Sequence, residues 1–347
     1  MPENLRELDP SDMYGHIHRF PEQLEQAMEI GRNIRLDRDY SGVKTVVLAG
    51  MGGSAIGGDT VIALTSPFIE VPMVVRRHTS LPNWVGESTL VFVLSYSGNT
   101  QETVSCLKDA VRRNAMVAGI TSGGMIKDEL DGLGAPVVTI PSGYPPRACL
   151  GYLSVPVVYF LRETGLISES MEGQMTRAVA HLRKWRDVFG KPDEANPAYG
   201  IARQIYDSLP VIYGVEDGSA AVARRWRSQL EENGKMVAFH HLLPEMSHNE
   251  IVGYENNPEL MKRLSVMWLI GAGESGSLRT RQRLTRSIIG DAVKIQLDIE
   301  SRGDTRIEKL FYLIHLGDWV SFWAAMFHGT DPTPVHKIDR LKVLLRR

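Results

Sequence analysis

A short run of hydroxyl side chains follows a predicted β-strand and precedes a predicted helix. Residues 95–100 read Ser-Tyr-Ser-Gly-Asn-Thr, and a helical pattern begins near Thr103. The first N–H groups of a helix lack partners within the helix and carry partial positive charge, and Ser95, Ser97 and Thr100 would add hydroxyl donors. The run contains no lysine, so it does not match the P-loop that binds nucleoside triphosphates. The pattern predicts a site for a phosphomonoester, and the alternative is an ordinary turn with an N-capping hydroxyl.

A glycine-rich turn follows an earlier predicted strand and contains Gly52, Gly53 and Ser54. Glycine allows a close backbone approach and positive φ angles where a strand turns into a helix. The spacing differs from GxGxxG, so it is only weak evidence for a dinucleotide site. In a doubly wound sheet, ligands bind at the carboxyl edge of the strands, where both loops would lie. The glycine-rich turn is therefore predicted to lie at the edge of the sheet where ligands bind.

A pair of glutamates ends an amphipathic helix that is predicted to begin near Ser219. Acids at the C-terminal end of a helix face the negative end of its dipole, which tends to raise their pKa. A carboxylate with a raised pKa is a good proton-abstracting base near neutrality, which makes Glu232 a candidate base. The alternative, which describes most pairs of adjacent glutamates, is a solvated helix end.

A polar segment in the second half of the chain contains several possible metal ligands. They are His240, His241, Glu245 and His248. Their spacings match no zinc pattern such as HExxH, so we expect no metal. His248 is then a candidate for acid–base work, substrate contact or a structural role. Arg147 follows two prolines at the end of a predicted strand, where a guanidinium would either stabilise an oxyanion or form a surface ion pair.

The composition is typical of a globular protein, and 347 residues are enough for two domains. A net charge of −2 gives no electrostatic footprint for nucleic acid. The two cysteines, Cys106 and Cys149, are too few for a disulfide framework, and we expect both to be buried thiols. The N-terminus has no signal-peptide pattern, and the longest apolar run, residues 149–161, is too short to span a bilayer. We therefore expect a cytoplasmic protein without nucleic-acid or membrane partners.

Short apolar strands alternate with helical segments in both halves of the chain. This alternation predicts the α/β class, with parallel sheets covered by helices on both faces. The main predicted helices lie within residues 1–40, 150–185 and 310–326. The predicted strands are residues 45–50, 71–75, 90–94, 116–120, 136–140, 210–214, 237–244, 266–270 and 293–297.

The second half of the chain repeats the pattern of the first. The strand at residues 266–270 corresponds to the strand before the hydroxyl run, and the strand at 293–297 corresponds to that at 136–140. Glu274 lies in the second copy of the loop, where a fixed anion would repel phosphate, so we expect only the first loop to bind it. The expected divisions are an N-terminal phosphate-binding domain in residues 1–165, a helical linker in 166–198 and a C-terminal domain with a C-terminal helix in 199–347.

Six ordered motifs, spread over almost the whole chain, resemble one protein family. Residues 50–59 and 95–103 resemble the sugar isomerase (SIS) domain. The other four motifs are residues 146–147, 232–235, 247–252 and 336–339. Taken together, the six resemble the bifunctional phosphoglucose/phosphomannose isomerases. The resemblance implies two tandem SIS domains, each a doubly wound parallel sheet flanked by helices, and a homodimer with shared active sites.

The resemblance also implies an activity, in which an aldose phosphate and a ketose phosphate interconvert through a cis-enediolate without metal or cofactor. Glu232 would move the proton between C1 and C2, and Arg147 would stabilise the enediolate. His248 of the partner subunit and Lys337 would assist ring opening. Thr330 corresponds to a small residue that leaves room for either C2 epimer, so both glucose 6-phosphate and mannose 6-phosphate would yield fructose 6-phosphate. The phosphate site would comprise Gly52, Gly53, Ser54, Ser95, Ser97 and Thr100.

Two other functions are compatible with parts of the pattern. An isomerase of a different phosphosugar would normally carry a glutaminase domain or a zinc-ligand pattern, and this sequence has neither. A non-catalytic SIS sensor of sugar phosphates would normally carry a helix-turn-helix domain, for which the roughly 40 residues before the first predicted strand are too few. The presence of Glu232, Arg147 and His248 in one chain favours catalysis.

Overall fold

The strands of this protein form two parallel sheets with helices packed against them. The computed structural model describes residues 3–167, 171–271 and 275–345. Within each sheet all strand pairs are parallel, so the protein has the α/β fold that the sequence predicts. The strands are β1 Thr45–Ala49, β2 Met73–Arg76, β3 Thr89–Leu94, β4 Met116–Thr121, β5 Val137–Thr139, β6 Leu209–Val215, β7 Phe239–Leu243, β8 Leu264–Ile270 and β9 Ile295–Glu300. The helices are α1 Glu3–Arg6, α2 Met13–His18, α3 Phe20–Arg32, α4 Gly52–Thr65, α5 Gln101–Arg112, α6 Gly124–Gly132, α7 Leu150–Glu163, α8 Glu172–Phe189, α9 Pro197–Ile205, α10 Ala220–Glu232, α11 Pro258–Met261, α12 Gly276–Ile289, α13 Arg306–Phe327 and α14 His336–Leu345.

The first sheet has the strand order β2-β1-β3-β4-β5. Its central strand β3 is buried along its whole length because helices cover both faces of the sheet. Val91 and Val93 share a core cluster with residues of α5 and α6, whereas Phe92 packs edge to face on Phe160 of α7 at 4.9 Å. The strand order reverses between β1 and β3, so the loops that follow these two strands meet at the carboxyl edge of the sheet.

The second sheet has the order β7-β6-β8-β9. Its first three strands occupy the places that β2, β1 and β3 have in the first sheet. Strand β9 pairs with β8, as β4 pairs with β3, so the predicted correspondence of residues 293–297 with residues 136–140 is wrong. The order of motifs along the chain does not determine which strands become neighbours, because crossover connections do so. The described part of the second sheet has no counterpart of β5.

Helix α13 is buried on nearly all sides, which explains why its sequence is apolar around its whole circumference. A capping box between Thr305 and Glu308 fixes its start, and Trp319, Phe322 and Trp323 fill the core around it. In the described part of the chain, α13 alone is long and apolar enough to cross a membrane, and 89% of the relevant window is buried inside the protein.

The chain divides into two compact units. One is Arg19–Ala180, which contains the first sheet, and the other combines Met1–His18 with His181–Arg347 and contains the second. Helix α2 belongs to the second of these units because Tyr14 packs edge to face on Trp319 with the ring centres 4.9 Å apart. The unit with the second sheet is therefore built from two separate stretches of sequence, and the residues of the first-sheet unit lie between these stretches along the chain.

These units differ from the ranges expected from the sequence. The residues expected to form the linker contain α8, whose first part falls in one unit and whose remainder falls in the other. The helix predicted over residues 150–185 is interrupted, since α7 ends at Glu163 and α8 begins at Glu172. The domain limits of 1–165 and 199–347 stay a prediction.

Candidate active site

The hydroxyl run forms the loop between β3 and α5. Ser95 is 1% exposed, and its hydroxyl donates to Oγ1 of Thr100 across 3.3 Å. Thr100 occupies the N-cap position of α5 in an extended conformation, but its side chain makes no capping hydrogen bond. Ser97 is exposed at the tip of the loop. The run is therefore not an ordinary capped turn, and no side-chain cap covers the first N–H groups of α5, as an anion site requires.

The segment that leads into α6 packs against the hydroxyl loop and forms hydrogen bonds with it. Gly98 has φ +67°, and a Cβ atom there would lie 1.7 Å from the carbonyl oxygen of Gly123. The carbonyl oxygen of Gly98 accepts from the N–H of Ile126 at 3.0 Å, and the side chain of Asn99 accepts from the N–H of Met125 at 3.1 Å. Only glycine permits this approach, so Gly98 fixes the backbone of the loop that carries the hydroxyl groups.

The glycine-rich turn after β1 lies beside the hydroxyl loop. The hydroxyl oxygen of Ser54 accepts a hydrogen bond from the backbone N–H of Tyr96 at 3.2 Å. Gly52 has φ +52° at the start of α4, and a Cβ atom on Gly53 would lie 2.9 Å from the carbonyl oxygen of Pro146. The structure therefore brings the predicted glycines and serine next to the hydroxyl loop and packs the start of α4 against a neighbouring turn.

Arg147 lies in that neighbouring turn, the 3-10 helix Pro146–Ala148. It is 4% exposed, so the alternative interpretation as a surface ion pair is wrong. The turn is also tied to its own C-terminal side, because the thiol of Cys149 donates to the carbonyl oxygen of Pro146 at 2.9 Å. A buried guanidinium keeps its charge, and a charge in a region of low dielectric constant acts strongly on a nearby anion.

Tyr96 has a role that the sequence did not reveal. Its hydroxyl oxygen accepts from the N–H of Tyr144 at 2.7 Å, and its carbonyl oxygen accepts from the N–H and the hydroxyl of Ser122 at 2.9 and 2.7 Å. With the bond to Ser54, it joins the loops that follow β1, β3, β4 and β5. Burial raises the pKa of Tyr96, so its hydroxyl stays neutral. One aromatic residue among small hydroxyl residues was the signal available in the sequence.

In the other unit, a buried polar seam joins α10 to α13. Arg225 forms a bidentate ion pair with Asp318 at 2.9 and 2.7 Å, and Gln229 donates to the same carboxylate at 2.8 Å. Burial raises the pKa of Asp318, although the Arg225 guanidinium opposes this shift. One turn further, the Asn233 side chain donates to the hydroxyl of Ser321 at 3.0 Å. These contacts recur every four residues and fix the rotation of α10 about its axis.

Glu232 is the last residue of α10, which begins after Ser219 as the sequence predicts. It directly precedes the last residue of the seam and is half-buried. The raised pKa expected at this helix end is found at Glu231, where partial burial raises the carboxyl pKa and the Arg227 guanidinium, 3.7 Å away, lowers it. Two adjacent carboxylates are thus candidate bases, and the sequence motif favours Glu232.

His248 ends a 3-10 turn that follows β7, and it is exposed. Met246 is fully buried and anchors this turn in the core of the second sheet. Glu250 accepts from the hydroxyl of Tyr213 at 2.5 Å and pairs with His241. Glu250 therefore holds the segment that presents His248, a role that the sequence did not reveal.

The other residues singled out in the sequence take the following places. In the part of the chain that the structure describes, no group of three or more His, Cys, Asp and Glu side chains is arranged to hold a metal ion, and His240 and Glu245 belong to no such group. Cys106 and Cys149 are buried free thiols, as predicted, and burial raises the pKa of Cys106 to about 11. Glu274 lies outside the described residues, so the restriction of phosphate binding to the first loop stays a prediction.

The segment between α13 and α14 carries two further predicted residues. The N–H of Thr330 donates to the carbonyl oxygen of Ala325 at 3.0 Å, which fixes it to the end of α13. Lys337 is exposed in the first turn of α14. Lys235, just beyond α10, donates to the backbone of Glu232 and to two carbonyl groups of this segment. The structure thereby connects the helix end that carries Glu232 to the chain between Thr330 and Lys337.

Comparisons with known proteins point to one family. Residues 194–345 match the family model described as bacterial phospho-glucose isomerase C-terminal SIS domain. A bifunctional phosphoglucose/phosphomannose isomerase from Caldicellulosiruptor bescii is 37% identical over 332 residues, which cover 95% of this chain and 98% of that protein. A protein of the same description from Aquifex aeolicus is 32% identical over 315 residues, which cover 89% and 93% of the two chains.

A solved structure supports the fold. The C-terminal domain of glucosamine-fructose-6-phosphate aminotransferase from Francisella tularensis aligns with a TM-score of 0.73 at 16% identity, over 93% of this chain and 98% of that chain. At this level of identity, the similarity shows the fold alone.

Proposed function

Because the chain belongs to the bifunctional phosphoglucose/phosphomannose isomerase family, we propose that it interconverts glucose 6-phosphate and mannose 6-phosphate with fructose 6-phosphate. The observation that carries the proposal is the hydroxyl loop, which offers neutral donors and an uncapped helix start beside the glycine-rich turn, against which the turn of the buried Arg147 packs. An isomerase that moves a proton next to a carbonyl needs a phosphate anchor, a base and an electrophile for the enediolate. This chain supplies residues for each part.

The phosphate would be held by hydroxyl and backbone donors. We assign this role to Gly52, Gly53, Ser54, Ser95, Ser97 and Thr100. The two glycines allow the phosphate to approach the backbone at the start of α4, and the hydroxyl groups donate to its oxygen atoms. Hydrogen bonds to a charged acceptor are stronger than those between neutral groups, so an anchor without lysine is sufficient.

Glu232 would act as the base. Its carboxylate takes the proton from C2 of the open-chain aldose, the electron pair moves to the carbonyl oxygen, and a cis-enediolate forms. The hydroxyl proton on O2 moves to O1, the same carboxyl group returns its proton to C1, and the C2 carbonyl forms, which yields the ketose. Arg147 would stabilise the negative charge on the enediolate oxygen, since a buried guanidinium in a fixed position loses little energy to reorganisation.

His248 and Lys337 would assist opening of the sugar ring by proton transfer to and from the ring oxygen and the anomeric hydroxyl. We propose that His248 serves the site of a second copy of this chain, so that the protein is a homodimer. The exposure of His248 at the surface of the chain supports this assignment, because a residue that completes a partner's site must be accessible.

Thr330 would leave room for either configuration at C2. The two aldoses differ only at this carbon, and the planar enediolate erases the difference, so discrimination depends on the space around C2. The bond from the Thr330 N–H to the end of α13 supports a fixed position for this small side chain. We also propose a cytoplasmic location, which the two buried free thiols support, and a reaction without metal or cofactor.

The test is an assay of the purified protein with fructose 6-phosphate, in which glucose 6-phosphate and mannose 6-phosphate are measured separately, with and without EDTA. Two products at comparable rates, unaffected by EDTA, are expected. If glucose 6-phosphate were the only product, the proposed mechanism would stand, but the proposal that both C2 epimers are accepted would be wrong. Binding of phosphosugars without any product would overturn the enzyme assignment in favour of a sensor, and activity with another phosphosugar only would change the substrate.

A further inference from the structure

We propose that Lys235 is a positioning residue, whose ammonium group clamps the helix end that carries Glu232 to the segment that carries Thr330 and leads to Lys337. The inference rests on the proposed function, in which these three residues act on the substrate. Lys235 itself would touch neither the substrate nor the reacting atoms. It would act through the backbone of two chain segments that are distant in sequence.

The clamp consists of three hydrogen bonds from one ammonium group. Nζ of Lys235 donates to the carbonyl oxygen of Glu232 at 2.5 Å, of Pro332 at 2.9 Å and of Pro334 at 2.6 Å. An ammonium group has three donors in tetrahedral directions, which matches three acceptors. Two of these acceptors lie 97 and 99 residues away along the chain, so the bonds join separate elements of the unit.

The backbone conformation just before Lys235 directs its side chain back toward the end of α10. The N–H of Asn233 still donates to Gln229 in the helical pattern. At Gly234 a Cβ atom would lie 2.8 Å from the carbonyl oxygen of Leu230, so only glycine fits there. Lys235 then adopts φ +55°, a left-handed conformation that is unfavourable for lysine. An unfavourable backbone conformation persists where surrounding contacts hold it, and the three hydrogen bonds are such contacts.

The acceptor segment needs a donor from outside itself. Pro332 and Pro334 have no N–H groups, so the segment has few donors with which to satisfy its own carbonyl groups. The residues of α14, which follows directly, include no buried side chain. The bond to Pro334 therefore fixes the chain just before the helix that carries Lys337, while the backbone bond of Thr330 fixes the other end of the segment.

The clamp has a consequence for catalysis. The last carbonyl groups of a helix have no intrahelical partner, so the end of α10 would fray without an external donor. Proton transfer requires the base to lie within a few tenths of an ångström of its productive position. Loss of the clamp would therefore reduce the rate of proton transfer, and it would also relax the space around Thr330 that controls the choice between C2 epimers.

The test compares Lys235→Met with Lys235→Arg and with Lys262→Met. Methionine keeps most of the aliphatic chain and removes the donors, whereas the planar guanidinium keeps the charge but cannot direct three donors in tetrahedral directions. Lys262 is the matched control, because its ammonium also donates to a distant backbone carbonyl group, that of Asp291, in the same unit.

For Lys235→Met we expect a kcat between about 10-fold and 100-fold lower than that of the wild type, a KM within about threefold and a changed ratio of the two aldose products. Amide hydrogen exchange should accelerate in peptides that cover residues 226–240 and 328–340. Lys235→Arg should recover only part of kcat, and Lys262→Met should match the wild type in every measurement.

The proposed function and the positioning role of Lys235 would be overturned by different results. An inactive wild type would overturn the proposed function itself. An active wild type together with an unchanged kcat in Lys235→Met would overturn the positioning role alone. Unchanged hydrogen exchange in both peptides would also overturn the positioning role, because it would show that Lys235 does not restrain the two segments. A large rise in KM at constant kcat would overturn it as well, because that result indicates contact between Lys235 and the substrate.

Discussion

The backbone N–H of Tyr96 donates to the hydroxyl oxygen of Ser54 across 3.2 Å. Because this oxygen accepts from the backbone, the proton of Ser54 is directed away from Tyr96 and can be donated to another acceptor. The same bond couples the glycine-rich turn after β1 to the hydroxyl loop after β3. The two loops consequently form one continuous edge of the sheet, in which a change in either loop affects the other.

The double variant Ser97→Ala, Thr100→Ala should raise KM for fructose 6-phosphate by about tenfold or more, because hydrogen bonds to a charged acceptor contribute about 1.5–3 kcal/mol each. The effect on kcat should be small by comparison, since the phosphate does not change during the reaction. Steady-state kinetics would measure both constants. Ser105→Ala, an exposed hydroxyl further along α5, is the control. An unaltered KM in the double variant would place the phosphate elsewhere.

Glu232→Gln should lower kcat by a factor of about 10² to 10⁴, the usual contribution of a general base, while substrate affinity stays within a few fold. Glu231→Gln is the matched control, because it removes the neighbouring carboxyl group whose pKa burial raises. Single-turnover kinetics and equilibrium binding of fructose 6-phosphate would separate chemistry from affinity. The reverse result, with Glu231→Gln inactive and Glu232→Gln active, would transfer the role of base to Glu231.

Asp318→Ala should destabilise the second-sheet unit by about 3–5 kcal/mol, because the Arg225 guanidinium would stay buried without its carboxylate partner. The comparison is Asp207→Ala, which removes a surface ion pair with Lys294 and should cost no more than about 1 kcal/mol. Urea unfolding followed by tryptophan fluorescence would measure the difference. Similar midpoints for the two variants would show that the seam contributes little to stability.

Asp109 makes the stability of the first-sheet unit depend on acid pH. The Arg113 guanidinium and the N–H of Leu81 lower the pKa of Asp109 from its usual value of 3.8 to about 2. A carboxyl group whose pKa is lower in the folded state stabilises that state above the unfolded pKa and loses this contribution as pH falls through the folded value. Stability should therefore decrease between about pH 4 and pH 2 in the wild type.

The variant Asp109→Asn should be less stable than the wild type at pH 5 and should lose less stability on acidification, as measured by unfolding at pH 5, 4 and 3. Asp128→Asn, which changes an exposed carboxylate of α6, is the control for the removal of one carboxyl group. If the stability of Asp109→Asn decreased with falling pH as steeply as that of the wild type, other carboxylates would have to account for the loss of stability.

The sequence predicted the elements of the fold because their signals are local. The buried strand β3 is a continuous apolar run, and the start of α10 after Ser219 follows from a helical pattern. The place of β9 beside β8 was not predicted, because neighbours in a sheet depend on how crossover connections run in three dimensions.

The parts of the site that escaped prediction depend on distant contacts. The burial of Arg147 arises from the packing of α4 against its turn, which Gly53 permits and no local pattern reveals. The bonds of Lys235 to residues 97 and 99 positions away are likewise absent from any local pattern. The raised pKa at Glu231 depends on burial, which a helix-dipole argument does not include.

The discontinuous unit has a consequence for synthesis of the protein. Ring nitrogen Nε2 of His315 lies 3.0 Å from the carbonyl oxygen of Ile17, 298 residues earlier in the chain. At typical elongation rates of 5–20 residues per second, roughly 15 to 60 s would pass between the synthesis of α2 and that of α13. Arg19–Ala180 is continuous in sequence and is complete during this interval, whereas the unit that contains α2 and α13 cannot be completed until both helices have been made.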